Sequence, residues 1–253
     1  MEKVYQKSAS LSNQTSGFCP GCLHGVAFKL IAEVLDERNY RGLTIGVLPV
    51  GCSTLAKDIN NYDMILASHG RASAIATGYK RSMPDKLVFA YQGDGDLASI
   101  GLAEAIHTAN RGEAITTIFI NNGIFGMTGG QMAPTTLVGQ RATTCVDGRS
   151  AESSGYPLQM AELIAGLKAP AYVARFGLFS PKTILQAKKG IEKAFELQMS
   201  QGGYAFLELL SNCPTNWGVS PAESLVWIKQ KMVPYFPLGV LKSLEGSVET
   251  DGN

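Results

Sequence analysis

Apolar residues fall along the chain in two alternating rhythms. Short β-branched or aromatic runs at residues 43–50, 88–91, 115–120, 171–176 and 205–211 suit buried strands. Between them, apolar positions return every three or four residues, the spacing of one helix face. Residues 26–35 do so through Phe28, Leu30, Ile31, Val34 and Leu35, and residues 97–111 through Leu97, Ile100, Ala103, Ile106 and Ala109. Residues 158–167, 181–201 and 221–232 continue the pattern, and 72–80 is a helix of small residues suited to close packing. A helix between two strands predicts a parallel pair with a right-handed crossover. The fold class that follows is α/β, a parallel sheet with helices on both faces.

Composition narrows this picture. A chain of 253 residues suits one domain over residues 1–253. Residues 1–17 are polar and aperiodic, an expected arm on the surface or on a partner, and a frayed tail is expected from 243 onward. The net charge of +1 gives no reason to expect nucleic acid or a membrane surface as partner. With 45% hydrophobic and only 17% charged residues, the surface leans towards that of a subunit in a larger assembly. No secretion signal or membrane-spanning run is visible, so a cytoplasmic location is expected. Five cysteines, an odd number, argue against a disulfide framework and for metal or redox chemistry.

The chemistry is densest around Gly93-Asp94-Gly95-Asp96 and Asn121-Asn122-Gly123-Ile124. Each group follows a predicted strand, where open parallel sheets bind ligands. The glycines and the helix start offer backbone N–H groups to an anion. Asp94 offers a carboxylate oxygen, Asn122 an amide oxygen, and the turn after it a carbonyl. Magnesium favours such hard oxygens and usually adds substrate phosphates to one or two carboxylates, so a magnesium-bridged diphosphate fits. The plainer reading is a βαβ unit with a glycine turn and an amide-rich loop. Downstream, residues 125–136 form a long, glycine-rich, almost uncharged loop, which suits wrapping a ligand.

Cys19-Pro20-Gly21-Cys22 allows a thioredoxin-like pair, half a zinc site, or two iron–sulfur ligands. No strand precedes it, and no second pair or histidine pair accompanies it. Cys52 and Cys213 both follow predicted strands and can share one sheet edge, and four thiolates there suit a [4Fe–4S] cluster. Cys145 reads as a buried small hydrophobe. His69, before the small-residue helix, is either a satisfied helix-start residue or a phosphate contact; His107 reads as structural.

Gly93-Asp94-Gly95, then twenty-five residues, then Asn121-Asn122, resembles the thiamine diphosphate-binding motif of thiamine-dependent enzymes. Together with Pro49-Val50-Gly51-Cys52-Ser53, Tyr91-Gln92 before that motif, residues 126–136 and Cys213-Pro214-Thr215-Asn216-Trp217, it resembles the β subunit of 2-oxoacid:ferredoxin oxidoreductases. The likeness runs from Cys19 to about Lys242 and is closest to the 2-oxoisovalerate (branched-chain) type. It implies Asp94, Asn122 and the Ile124 carbonyl as Mg2+ ligands, and Cys19, Cys22, Cys52 and Cys213 as [4Fe–4S] ligands. Gly51, Cys52, Ser53, His69, Gly95, Asp96, Gly126 and Met127 are implied around the thiamine diphosphate. The activity implied is coenzyme A-dependent oxidative decarboxylation of a 2-oxoacid, with electrons leaving through the cluster to ferredoxin. The cofactor-activating glutamate is expected from an α subunit, γ and δ subunits can join the assembly, and this chain alone is expected to be inactive. Leu23 stands where the family commonly has glycine, a change expected to alter the turn beside the cluster. Competing readings are an iron-free thiamine diphosphate-dependent decarboxylase or synthase subunit and, more distantly, a scaffold without cofactors.

Overall fold

The computed structural model describes residues 6–244. Its centre is a seven-stranded sheet built from β1 (Thr44–Pro49), β2 (Asp63–Ala67), β3 (Leu87–Gly93) and β4 (Thr116–Asn121). A two-residue hairpin pair, β5 (Ile124–Phe125) and β6 (Gln131–Met132), stands apart, and β7 (Tyr172–Gly177), β8 (Ala205–Leu210) and β9 (Gly239–Ser243) complete the sheet. The order is β2-β1-β3-β4-β8-β7-β9. Every pairing is parallel except that of β9, which runs antiparallel along β7.

Period-two alternation divides each strand between two cores. In β3, Leu87, Phe89 and Tyr91 join Phe28, Ile31 and Leu35 of helix His24–Glu37 and Ile191 and Phe195 of helix Pro181–Gln201. Val88 and Ala90 face the other way, towards Ala72 and Ala76 of helix Ala72–Ser82 and Ala105 and Ala109 of helix Leu102–Asn110. The alanines let those helices lie close to the sheet, as the small-residue pattern suggested. Because both faces are covered, the strands read as nearly continuous apolar runs rather than strict alternations.

The expected helix over 97–111 is divided. Asp96–Ile100 forms a wide π turn, in which Gly101 N–H donates to the Asp96 carbonyl at 2.9 Å, and the α-helix starts at Leu102. Gly101 lies against Gly70, where a β-carbon would sit 2.9 Å from the Gly70 oxygen. Single π turns of this kind gather at functional sites. The helix expected over 221–232 likewise ends at Trp227 and continues as a π turn, Ile228–Met232. β2 and β9 have no counterpart among the expected strands. Both are sheet edges with exposed positions, so their apolar runs are short and interrupted. The arm expected over 1–17 is described from residue 6: Ser8 and Ser10 bond Asp36, and Ser10 and Ser12 pair with the backbone near Ile59. Of the tail expected from 243, residues 245–253 lie outside the described residues.

The chain leaves β1 in one direction to β2 and returns to place β3 on the other side. That reversal opens a crevice at the carboxyl ends of β1 and β3, the usual ligand position in such sheets.

Candidate functional site

The crevice is lined by Val50 to Ser53 after β1, His69, Gly93 to Asp96 after β3, and Asn122 with Ile124 to Thr128 after β4. Its volume is about 130 Å³. Pockets that enclose a drug-sized ligand hold about 300–1,000 Å³. The crevice is smaller than that, so these residues alone do not enclose a ligand of that size.

Asp94 is 2% exposed at the floor. Its Oδ2 accepts from Gly123 N–H at 2.6 Å, Thr135 Oγ1–H at 2.6 Å and Asn122 N–H at 3.2 Å, while Oδ1 accepts from Gly95 N–H at 2.8 Å. Burial pushes its carboxyl up to about 6, and those four donors restrain the rise. The carboxylate thus ties the β3 turn, the loop after β4 and residue 135 together.

One end of the Asn122 amide lies 3.2 Å from Asp94 Oδ1 and 2.9 Å from the Ile124 carbonyl oxygen. With nitrogen at that end, the amide donates to both. With oxygen there, it accepts from Ile124 N–H at 3.3 Å and faces the two other oxygens, a set a cation would satisfy. Neighbouring oxygens of a magnesium octahedron, each about 2.0–2.1 Å from the metal, stand about 2.9 Å apart. The donor set and its spacing fit magnesium, with the remaining positions open for phosphate and water.

Asp96 does different work. Its Oδ1 accepts from Gly70 N–H at 2.6 Å and contacts His69 Nδ1 at 2.5 Å, and its Oδ2 accepts from Gln92 Nε2 at 2.6 Å. Gln92 in turn accepts from Ser73 Oγ at 2.8 Å. Asp96 fixes His69 at the crevice rim rather than pointing a free carboxylate at a ligand. Gly70 has φ +76° with its backbone against Ile100, so the turn carrying His69 requires glycine. Gly51, with φ +136°, starts the turn that brings Cys52 and Ser53 to the crevice, and Ser53 Oγ donates to the Pro49 carbonyl at 3.1 Å.

The cysteines gather beside this floor. A β-carbon on Gly126 would lie 3.0 Å from Cys52 Sγ and 3.7 Å from Cys213 Sγ, so glycine lets the loop pass directly over both sulfurs. Cys19, Cys22, Cys52 and Cys213 are all free thiols, and every pair among them interacts electrostatically. Burial and the neighbouring sulfurs push the Cys22 thiol up to about 11 and the Cys52 thiol up to about 12. Among the described residues no three His, Cys, Asp or Glu side chains converge for a single metal ion. A cubane cluster does not require that, because each thiolate binds a different iron. Cys52 and Cys213 lie under one glycine, and Cys19 and Cys22 are near enough to raise their neighbours' thiols, a donor set whose chemistry suits an iron–sulfur cluster rather than one ion.

Asn212 holds the cysteine turns in place. Its side chain accepts from Leu23 N–H at 3.0 Å and donates to the Gly21 carbonyl at 3.1 Å and to Ser224 Oγ at 2.7 Å. Leu23 has φ −78°, a conformation any residue adopts, and its side chain packs into the core. Gly21, at φ +76°, is the position that needs glycine. Cys145 packs at the edge of a small apolar cluster that includes Ile124, Met132, Ala142 and Cys213 itself.

All eight residues expected around the cofactor and all three expected magnesium ligands line this crevice. Asn212, Thr135 and His24 are additions. His24 Nδ1 lies 2.7 Å from Tyr91 Oη, and burial pushes its pKa down to about 4, so it stays neutral. Thr135 sat within an expected ligand-wrapping loop, but nothing in its sequence context marked its hydroxyl. Asn212 adjoins Cys213 and His24 lies two residues after Cys22, a proximity the sequence does show.

Residues 49–209 match the family described as thiamine pyrophosphate enzyme, C-terminal TPP binding domain. The chain is 43% identical over 238 residues to ketoisovalerate oxidoreductase subunit VorA of Methanothermobacter thermautotrophicus, covering 94% of this chain and 50% of that one. It is 38% identical over 223 residues to 2-oxoglutarate synthase subunit KorB of Methanocaldococcus jannaschii, covering 85% of this chain and 78% of that one. The chain thus spans about half the length of the VorA relatives it matches. Among solved structures, 2-oxoglutarate:ferredoxin oxidoreductase from Magnetococcus marinus, with 2-oxoglutarate, coenzyme A and succinyl-CoA bound, shares the fold. The TM-score is 0.74 at 22% identity, over 96% of this chain and 87% of that one. The crevice at the β1/β3 reversal lies where such enzymes' sheets bind ligands, and the relatives fix the family: the chain belongs to the thiamine pyrophosphate enzymes and, within them, to the subunits of 2-oxoacid:ferredoxin oxidoreductases.

Proposed function

We propose that this chain is the β subunit of a coenzyme A-dependent 2-oxoacid:ferredoxin oxidoreductase acting on a branched-chain 2-oxoacid such as 2-oxoisovalerate. Asp94, Asn122 and the Ile124 carbonyl hold Mg2+ against the cofactor's diphosphate, and Gly95 and Asp96 start the turn beneath it. Gly51, Ser53, His69, Gly126 and Met127 surround the rest of the cofactor. Cys19, Cys22, Cys52 and Cys213 carry a [4Fe–4S] cluster. Thiamine diphosphate bound there supplies the carbanion and the electron sink for 2-oxoacid decarboxylation.

One observation carries this reading: a single loop starts at the magnesium ligands and, at Gly126, rests on the sulfurs of Cys52 and Cys213. The residues that would hold the cofactor and those that would hold the cluster are thus joined by one short loop. Within the crevice, His24 is buried and neutral, His69 is engaged by Asp96, and Asp94 is spoken for by its own donors. No glutamate lines it. The resemblance to 2-oxoacid:ferredoxin oxidoreductases assigns the cofactor-activating glutamate to an α subunit, and a crevice without a glutamate agrees with that assignment. Val50, Leu66, Ile100 and Met127 offer that subunit exposed apolar contact near the strand ends. Among the described residues no helix is long and apolar enough to cross a membrane. A cytoplasmic complex, with ferredoxin as acceptor and γ and δ subunits as further members, fits these features.

The test is copurification with the α subunit under anaerobic conditions, followed by coenzyme A-dependent dye reduction across several 2-oxoacids. The expected result is turnover by the complex, highest with a branched-chain substrate, and none by either subunit alone. Turnover independent of both coenzyme A and iron would instead support an iron-free decarboxylase or synthase.

A further inference from the structure

Asn216 follows Cys213 by three residues, in the short turn Pro214–Trp217 that begins at that cysteine. Its side-chain amide donates to two groups at once: the Gly126 carbonyl at 2.8 Å and Cys213 Sγ at 3.2 Å. An amide carries two N–H donors, so both bonds can be satisfied together. The backbone N–H of Asn216 also faces the same sulfur. On its other side the Asn216 side chain packs against Gly130, where a β-carbon would lie 3.1 Å from Asn216 Cβ. The amide is thus wedged between the two limbs of the loop 125–130 and the last of the four cysteines, and has little freedom to turn away. Among the described residues, no other side-chain hydrogen bond joins residues 125–130 to a cysteine sulfur.

We propose that Asn216 is the positioning residue that locks the cofactor loop onto the Cys213 cluster ligand and, through its N–H···S bond, sets the cluster's reduction potential. The inference rests on the cofactor and cluster assignment above. Hydrogen bonds to cluster sulfurs are one of the main determinants of potential, because they stabilise the extra negative charge of the reduced form. The second N–H holds Gly126 in contact with Cys52 and Cys213, which keeps the crevice loop in register with the cluster. One amide therefore adjusts both the position of the electron donor and the driving force to the acceptor.

The experiment uses the anaerobically purified α/β complex with Asn216→Leu, which keeps the bulk of the side chain, and Asn216→Ala. Three quantities are read: iron and sulfide per chain, cluster midpoint potential by redox titration followed by electron paramagnetic resonance, and thiamine diphosphate affinity with Mg2+. Both variants are expected to retain iron, to titrate at a more negative potential, and to bind the cofactor about three- to tenfold more weakly, as the loss of one net hydrogen bond implies. Unchanged potential in iron-replete variants would overturn the inference. So would loss of iron from both variants with thermal unfolding unchanged, since Asn216 would then be only a structural clamp. Absence of iron from the unmodified complex would instead refute the cluster assignment itself, so the two failures are distinguishable.

Discussion

Thr135→Val is the most informative single change at the proposed magnesium site, because it removes one hydroxyl and little else. Thr135 is fully buried, and its Oγ1 donates to Asp94 Oδ2 at 2.6 Å. A hydrogen bond to a charged acceptor contributes about 1.5–3 kcal/mol. The same oxygen keeps Gly123 N–H at 2.6 Å and Asn122 N–H at 3.2 Å, so it is not left bare. The expected loss therefore lies at the lower end, about 1.5–2 kcal/mol. The carboxylate also loses a restraint on its rotamer, and magnesium affinity is expected to fall about three- to tenfold. Denaturant unfolding with and without Mg2+ and thiamine diphosphate measures both effects, since ligand stabilisation scales with RT ln(1 + [L]/Kd). Thr116→Val is the control: that threonine is also fully buried, but its hydroxyl reaches only the Ala194 carbonyl, at 3.5 Å. Equal stability losses in the two variants, or an unchanged magnesium response in Thr135→Val, would refute the assigned role of Asp94.

Three further outcomes follow from other contacts. Gly95→Ala places a β-carbon 2.4 Å from the Phe125 ring at the crevice; the overpacking is expected to cost about 1–3 kcal/mol and weaken cofactor binding, with partial recovery in Gly95→Ala/Phe125→Leu, both read by calorimetry. Arg175, fully buried, bonds Glu162 at 2.7 Å and lies 2.9 Å from Glu208, which accepts from Asn121 at 2.7 Å; Arg175→Met should lose about 3–5 kcal/mol in urea unfolding, while Arg175→Met/Glu208→Leu recovers most of it. Glu113 is opposed by burial, yet Arg81 and Arg111 hold its carboxyl below the usual glutamate value. Its contribution is present above the unfolded value and is lost as pH falls through the lower folded one, so Glu113→Gln should destabilise at pH 7 and become neutral at strongly acidic pH.

The strands and helices that build the central sheet were legible because both faces of the sheet are covered. Runs such as residues 88–91 and 205–211 then carry an unmixed apolar signal, and the crossover rule supplies the rest. β2 and β9 escaped that logic: as edges they are half-wet, and Asp63 or Lys242 interrupts their pattern. The π turn at Asp96–Ile100 was illegible for another reason. It depends on Asp96 reaching Gly70 and Gln92 and on Gly101 meeting Gly70, contacts between separate parts of the chain. At the site, Asp94 and Asn122 announced themselves by chemistry and position. Cys52 and Cys213 were brought together by strand ends that sequence alone could order only loosely. Thr135 and Asn212 are common residues whose meaning lies wholly in what their side chains touch.

The most direct test of the account is the iron and acid-labile sulfide content of the anaerobically purified protein, measured beside thiamine diphosphate binding. About four irons and four sulfides per chain, lost on replacement of Cys213 by serine while Asp94-dependent cofactor binding persists, is the expected result. A folded chain that binds thiamine diphosphate with magnesium yet holds no iron would contradict the pairing of cofactor and cluster.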